Sequence, residues 1–195
     1  MVIEAFLIRS GFTGFEKQRR YLGKIDEPLC EEGVEQLKFN MCDGKYREVE
    51  RVYTASSERC RQTAAIIYSG RPAVIAEGLS PFDYGRFGGR SYFELREDSE
   101  FLGWVSGEAE NPPGAEDNNI ITYRNVAAFR SIMKECEELS VRRVAIITHK
   151  SAITSVLRRM CLPRSVYQNV SITHGGGVCL SYNTYANAVS PQNFF

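Results

Sequence analysis

The sequence predicts an α/β protein, a three-layer α/β/α sandwich on a mostly parallel central sheet, and three observations predict it. Two nearly unbroken apolar runs, Val2-Ile3-Glu4-Ala5-Phe6-Leu7-Ile8 and Val144-Ala145-Ile146-Ile147-Thr148, have the pattern of strands buried on both faces. Strand-like and helix-like segments alternate along the chain, as layered α/β proteins require. A length of 195 residues suits a single core, and no internal repeat or low-complexity tract suggests a second. We therefore expect one domain over residues 1–195, with a loop or lid insertion at about 78–115.

The first apolar run ends at Arg9-Ser10-Gly11, so it delivers polar residues to the carboxyl end of a strand, where α/β proteins place their sites. Residues 12–29 read as a polar loop. From Glu31 to Cys42, Val34, Leu37, Phe39 and Met41 recur in a mostly helical pattern. Val49 to Tyr53 reads as a short strand, and the hydroxyls of Thr54, Ser56 and Ser57 are natural caps for a helix from Glu58 to about Tyr68. Ala73 to Ala76 is another short strand. Gly78 to Gly89 is rich in glycine and aromatics, the composition of a loop with functional shape, and a helix is expected from Ser91. Pro112-Pro113-Gly114 is the strongest breaker, after which Asp117 to Leu139 is the longest helical stretch. A helix from Ser151 to Met160 should follow the second apolar run, and Val178 to Tyr182 supplies a late strand. The final dozen residues look poorly structured.

Composition excludes several classes of function. Lys and Arg number 24 and so do Asp and Glu, leaving a net charge of zero, and the basic runs at 17–20, 142–143 and 158–159 are short. Nucleic acid is therefore not an expected partner. The six cysteines form no CxxC pair, and two histidines cannot complete a zinc site with them at a recognised spacing, so neither a metal nor a cofactor is expected. The first residues lack the basic and apolar regions of a signal peptide, and no apolar run could span a bilayer. The expected setting is the cytoplasm, away from membranes.

If the two buried strands are neighbours, Arg9, Ser10 and His149 meet at one sheet edge. A helix opening after Ser57 would add Arg59 in its first turn, a guanidinium fork at the positive end of a helix dipole. Together these residues make a cup for a phosphate group, with Ser10 where a nucleophile would stand. Thr13, Arg20 and Lys150 are candidate substrate contacts. The competing readings are surface ion pairs for the two arginines and a satisfied core histidine for His149. His174 precedes Gly175-Gly176-Gly177, a string like an esterase oxyanion turn. That turn should come before the nucleophile, and Ser10 lacks the first glycine of a GxSxG elbow, so His174 reads as a turn residue entering the last strand.

Several motifs follow one another in a fixed order. Arg9-Ser10-Gly11-Phe12-Thr13 opens the series, and Arg20-Tyr21-Leu22-Gly23 then runs through Asp26 and Pro28-Leu29 to Gly33. Ser56-Ser57-Glu58-Arg59 leads into Gln62-Thr63-Ala64, and Asp83-Tyr84-Gly85 into Gly88-Gly89. Pro112-Pro113-Gly114-Ala115-Glu116 and Ile146-Ile147-Thr148-His149 complete it. The series resembles the histidine phosphatase superfamily, also called phosphoglycerate mutase-like, and most of all its small α-ribazole phosphatase-type members.

The resemblance implies a reaction in which the RHG histidine attacks phosphorus and passes the phosphoryl group to water or back to a substrate. Two arginines and a second histidine hold the oxygens, and a carboxylic acid protonates the leaving group. Arg9, Arg59 and His149 fall on the holders. Ser10 falls on the nucleophile, Pro81 on the usual proton-donating Glu, and Phe12 and Gly88 on two further acidic positions. Glu16 stands where an Asn is frequent, and Lys150 where a Gly is common. A serine hydroxyl is a poor nucleophile without a base or metal, and losing a nucleophile costs on the order of a million-fold in turnover. The expectation is a protein that binds phosphate or a phosphorylated small molecule, or a phosphoprotein, with catalysis lost or much reduced. The other readings are an active phosphatase or mutase whose histidine was replaced to trap a complex, a serine hydrolase using Ser10 with His149 or His174, and a structural or regulatory partner that kept only the fold.

Overall fold

In the computed structural model, which describes residues 1–161 and 170–195, the first apolar run forms β1 (Val2–Arg9). Ala5, Phe6, Leu7 and Ile8 are buried in succession, and since alternate side chains point to opposite faces, both faces of the strand are covered. The second run, β4 (Arg143–Thr148), lies parallel beside it with Arg9 opposite Thr148. On one side β2 (Arg51–Thr54) pairs with β4 and β3 (Ala73–Ile75) with β2, both in parallel. On the other side β5 (Gly177–Asn183) runs antiparallel to β1 and β6 (Ala188–Phe194) antiparallel to β5. The order is β3-β2-β4-β1-β5-β6. The last residues, expected to be unstructured, are thus an edge strand. Its sequence hides this because only Val189 is buried, and Pro191 is tolerated there because an edge strand need not donate to a second neighbour.

Helices α2 (Glu31–Cys42) and α3 (Glu58–Ile67) pack together, as do α6 (Asn118–Glu138) and α7 (Lys150–Met160), and the helices flank the sheet. Asp117 caps α6 by accepting hydrogen bonds from the amides of Asn119 and Ile120. The cap expected for α3 is different. Ser57 holds the N-cap position without a cap hydrogen bond, and Asp26 from the preceding loop accepts from the Glu58 amide at 2.6 Å. Residues 12–29 are likewise not all loop, since Thr13 caps a one-turn helix, α1 (Gly14–Lys17). The segment from Gly78 holds a 3-10 turn at Gly85–Phe87, α4 (Tyr92–Leu95) with a Ser91–Glu94 capping box, and α5 (Ser99–Ser106), which the sequence pattern did not reveal. Phe87, Leu95 and Phe101 form a small apolar cluster there, backed by Tyr21, Tyr84 and Trp104. Among the described residues no helix is long and apolar enough to cross a membrane.

The chain leaving β1 is held close to α2. A Cβ on Gly33 would lie 2.2 Å from the carbonyl oxygen of Phe12, a backbone atom that cannot swing aside. Gly33→Ala should therefore destabilise the protein by about 3 kcal/mol and lower the thermal midpoint by roughly 10 °C, measurable by calorimetry.

Candidate functional site

The carboxyl ends of β1 and β4 border a cavity of about 600 Å³, within the range of small-molecule sites. Arg9, Ser10, Arg59 and His149 line it together, because the parallel pairing of β1 with β4 brings residues 9 and 148 side by side. Tyr21, Phe82, Tyr84 and Trp104 contribute aromatic faces. Helix α7 presents Ser151, Thr154, Ser155 and Arg158, a spacing that places all four on one helical face.

Three of the inner residues are almost wholly enclosed, with Ser10 and Arg59 4% exposed and His149 6%. Arg59 donates to the carbonyls of Ile25 at 2.9 Å and Gly23 at 3.0 Å, and among the described residues no carboxylate forms a salt bridge with it. Burial pulls its pKa below the ordinary arginine value, with nearby anionic groups opposing. The charge is retained all the same, because a guanidinium starts so high. His149 lies 3.4 Å from the Arg59 guanidinium and 3.4 Å from the Ser57 hydroxyl. Burial first, then Arg59, Arg9 and Arg124, hold the His149 pKa well below its usual range, so the ring is neutral at physiological pH. The Cys60 thiol fills the space beside it, 3.7 and 3.8 Å from the ring nitrogens. Burial pushes that thiol up to about 11, so it stays protonated.

Arg9 is built differently from Arg59. Its guanidinium donates to the Ile172 carbonyl at 2.8 Å and to Glu16 Oε1 at 3.0 Å, and also contacts His174 Nε2. His174 Nε2 lies 2.7 Å from the same Glu16 oxygen, and Phe12 packs edge-on against the His174 ring. Burial acts to raise the Glu16 pKa, but the hydrogen bond and charge of His174, with Arg9, outweigh it and leave the carboxyl below its ordinary value. The sequence did not reveal the Arg9–Glu16–His174 group, and it placed His174 foremost as a turn residue entering the last strand. It is in a turn, yet its ring contacts Arg9 and Glu16, two residues of the cavity wall. The available signal was the glycine run after it. A Cβ on Gly177 would lie 2.2 Å from the Leu7 carbonyl oxygen, so glycine lets this segment press against β1. The amides of the run are spent on backbone carbonyls, Gly175 on Arg9, Gly176 on Thr173 and Gly177 on Phe195, which accounts for the string without an oxyanion turn.

The remaining candidates divide. Lys150, the exposed first residue of α7, lines the cavity. Arg20 lines it too, but its guanidinium is held by the Gly89 carbonyl at 2.7 Å and Glu94 at 2.8 Å. Thr13 is fully buried as the α1 cap, bonded to the Glu16 amide, and is not among the lining residues. No hydrogen bond joins either histidine to the Ser10 hydroxyl, since His149 turns to Arg59, Ser57 and Cys60 and His174 to Arg9 and Glu16.

A family model of the histidine phosphatase superfamily (branch 1) matches residues 5–193. The chain belongs to this superfamily. Among curated relatives, the adenosylcobalamin/α-ribazole phosphatase of Salmonella typhimurium is 25% identical over 162 residues, covering 80% of this chain and 78% of that protein. The crystal structure of the α-ribazole phosphatase from Shigella flexneri superposes with a TM-score of 0.82 at 20% identity, covering 98% and 96% of the two chains. That of the phosphoserine phosphatase from Entamoeba histolytica, in complex with 3-phosphoglyceric acid, does so with a TM-score of 0.75 at 18% identity and covers 98% and 96%.

For a histidine phosphatase the cavity is poor in acids. Pro81 lines it, and Phe12 packs on His174. Gly88 closes the 3-10 turn through its amide. Glu116, in the turn after Pro112, is gripped by Arg124 at 2.9 and 3.0 Å. Among the described residues Glu16 is the one acidic side chain on the cavity wall.

Proposed function

We propose that this histidine phosphatase-family chain binds the phosphoryl group of a phosphorylated small molecule between Arg9, Arg59 and His149, with turnover lost or much reduced. Arg59 carries the proposal. A guanidinium so enclosed, bonded only to neutral groups and facing a cavity, is a costly arrangement that an anionic ligand would relieve. Small phosphorylated ligands fit the cavity volume, and the named relatives act on or hold such compounds. The loss of turnover follows from Ser10, which has no base, and Pro81, which has no proton to give.

Trp104, the sole tryptophan, lines the cavity and supplies a readout. Titration with phenyl phosphate should change its fluorescence saturably, with a dissociation constant of about a millimolar or tighter. No change there, and no heat in calorimetry at the same concentrations, would overturn the proposal.

A further inference from the structure

We infer that the cup is matched to a tetrahedral anion carrying one negative charge rather than two, and that Glu16 is the specificity-determining residue. The inference rests on the phosphate reading above and refines it. The two arginines do not contribute equally. Arg9 is already paired with Glu16 at 3.0 Å, through an oxygen it shares with His174, while Arg59 bonds to carbonyls and lies beside the neutral His149 ring. Of the two guanidinium groups in the inner cup, that of Arg59 is thus the one with no carboxylate of its own.

Glu16 cannot be treated as a remote counter-ion. It lines the same cavity as Arg59 and Ser10, so an anion bound to Arg9 meets the carboxylate that shares that guanidinium. Its position is fixed from several elements. Arg9 faces it from β1, His174 from the turn before β5, and the Thr13 hydroxyl, at 3.4 Å, from the cap of α1. Arg59 from α3 and Tyr84 from the 78–115 segment act on it at longer range. With its pKa depressed, Glu16 remains ionised throughout the neutral range. Like charges this close, in a partly enclosed site, repel strongly; a dianion gains twice the attraction to Arg59 but feels twice this repulsion, and taking its two charges out of water costs far more than twice what one charge costs.

Three probes separate the charge states. Dimethyl phosphate is a monoanion at any working pH, sulfate a dianion, and methyl phosphate passes from one negative charge to two near pH ~6. Affinities would be measured by Trp104 fluorescence and calorimetry at about pH 5 and about pH 8, with methyl phosphate read as a ratio to dimethyl phosphate. The ratio compensates for histidine protonation, which acts on both ligands. We expect the methyl phosphate ratio to fall about tenfold or more between the two pH values, and sulfate to bind weakly at both. Glu16→Gln should remove the fall and raise sulfate affinity by about tenfold or more, changing dimethyl phosphate far less. The inference is overturned if methyl phosphate and sulfate bind the parent protein at the higher pH as tightly as dimethyl phosphate does, a result that needs no variant to fold. It is equally overturned if Glu16→Gln leaves the ratio unchanged. Binding of phosphate monoesters without the charge preference would sink this inference alone, whereas no binding of any probe would sink the phosphate reading with it.

Discussion

Arg59→Ala will lower the affinity for a phosphomonoester by about a hundredfold or more, while the stability of the protein changes by no more than about 1 kcal/mol. The two effects separate because Arg59 does two opposing things in the unliganded fold. Its bonds to the Gly23 and Ile25 carbonyls staple the segment between α1 and α2, and losing them costs about 1 kcal/mol each. Removing a buried cation that has no counter-ion returns a comparable amount, the same burial that pulls the arginine pKa down. Affinity has no such offset, since the alanine variant lacks the one guanidinium of the inner cup that has no carboxylate partner. Arg59→Lys sharpens the test. It keeps the charge but cannot bond two carbonyls and an anion from one planar fork, so its affinity should fall between the other two. Thermal melts and fluorescence titrations of all three proteins measure both quantities. A large stability loss with unchanged affinity would mean that Arg59 is a structural staple only.

The sheet was legible because β1 and β4 are buried on both faces and therefore read as unbroken apolar runs; the helix at Glu31–Cys42 was legible from its apolar spacing although, of the four residues that carry it, Leu37 is the one fully buried and Phe39 and Met41 are exposed. β6 was not legible, since an edge strand with one buried side chain leaves almost no apolar trace. The eight-residue α5 gave too short a pattern, and α3 takes its cap from Asp26, remote in sequence from the helix it caps. At the site, Arg9, Ser10, Arg59 and His149 could be placed on one edge because they follow the ends of strands or begin a helix. Glu16 and His174 could not be joined, because 158 residues separate them and only the sheet, through β1 and β5, brings them together. What distinguishes Arg9 from Arg59 is thus a tertiary fact. Sequence treated the two as equivalent anion holders, and the fold supplies one of them with its own anion.

Ser10→His by itself will leave the hydrolysis of phenyl phosphate within about tenfold of the parent protein, but combined with Cys60→Ala and Pro81→Glu it will raise the rate by about a thousandfold or more. The first half follows from packing. Ser10 is almost wholly enclosed, and the Cys60 sulfur sits within 3.8 Å of both nitrogens of the neighbouring His149, so an imidazole at position 10 has little free space. It also finds no acid to protonate the leaving phenoxide, because Pro81 lines the cavity there and Glu116 is bound to Arg124. A general acid alone is worth about a hundredfold to ten-thousandfold, so restoring the nucleophile without it recovers little. Alanine at position 60 opens room for the ring, and glutamate at 81 returns a proton donor to the cavity wall. Initial rates, together with trapping of a phosphorylated histidine, decide the matter. A thousandfold gain from Ser10→His alone would show an otherwise intact enzyme that lacked only its nucleophile. A gain confined to the combined variant would mean that the serine, the neighbouring thiol and the missing acid form one coherent departure from catalysis beside the arginines proposed to hold an anion.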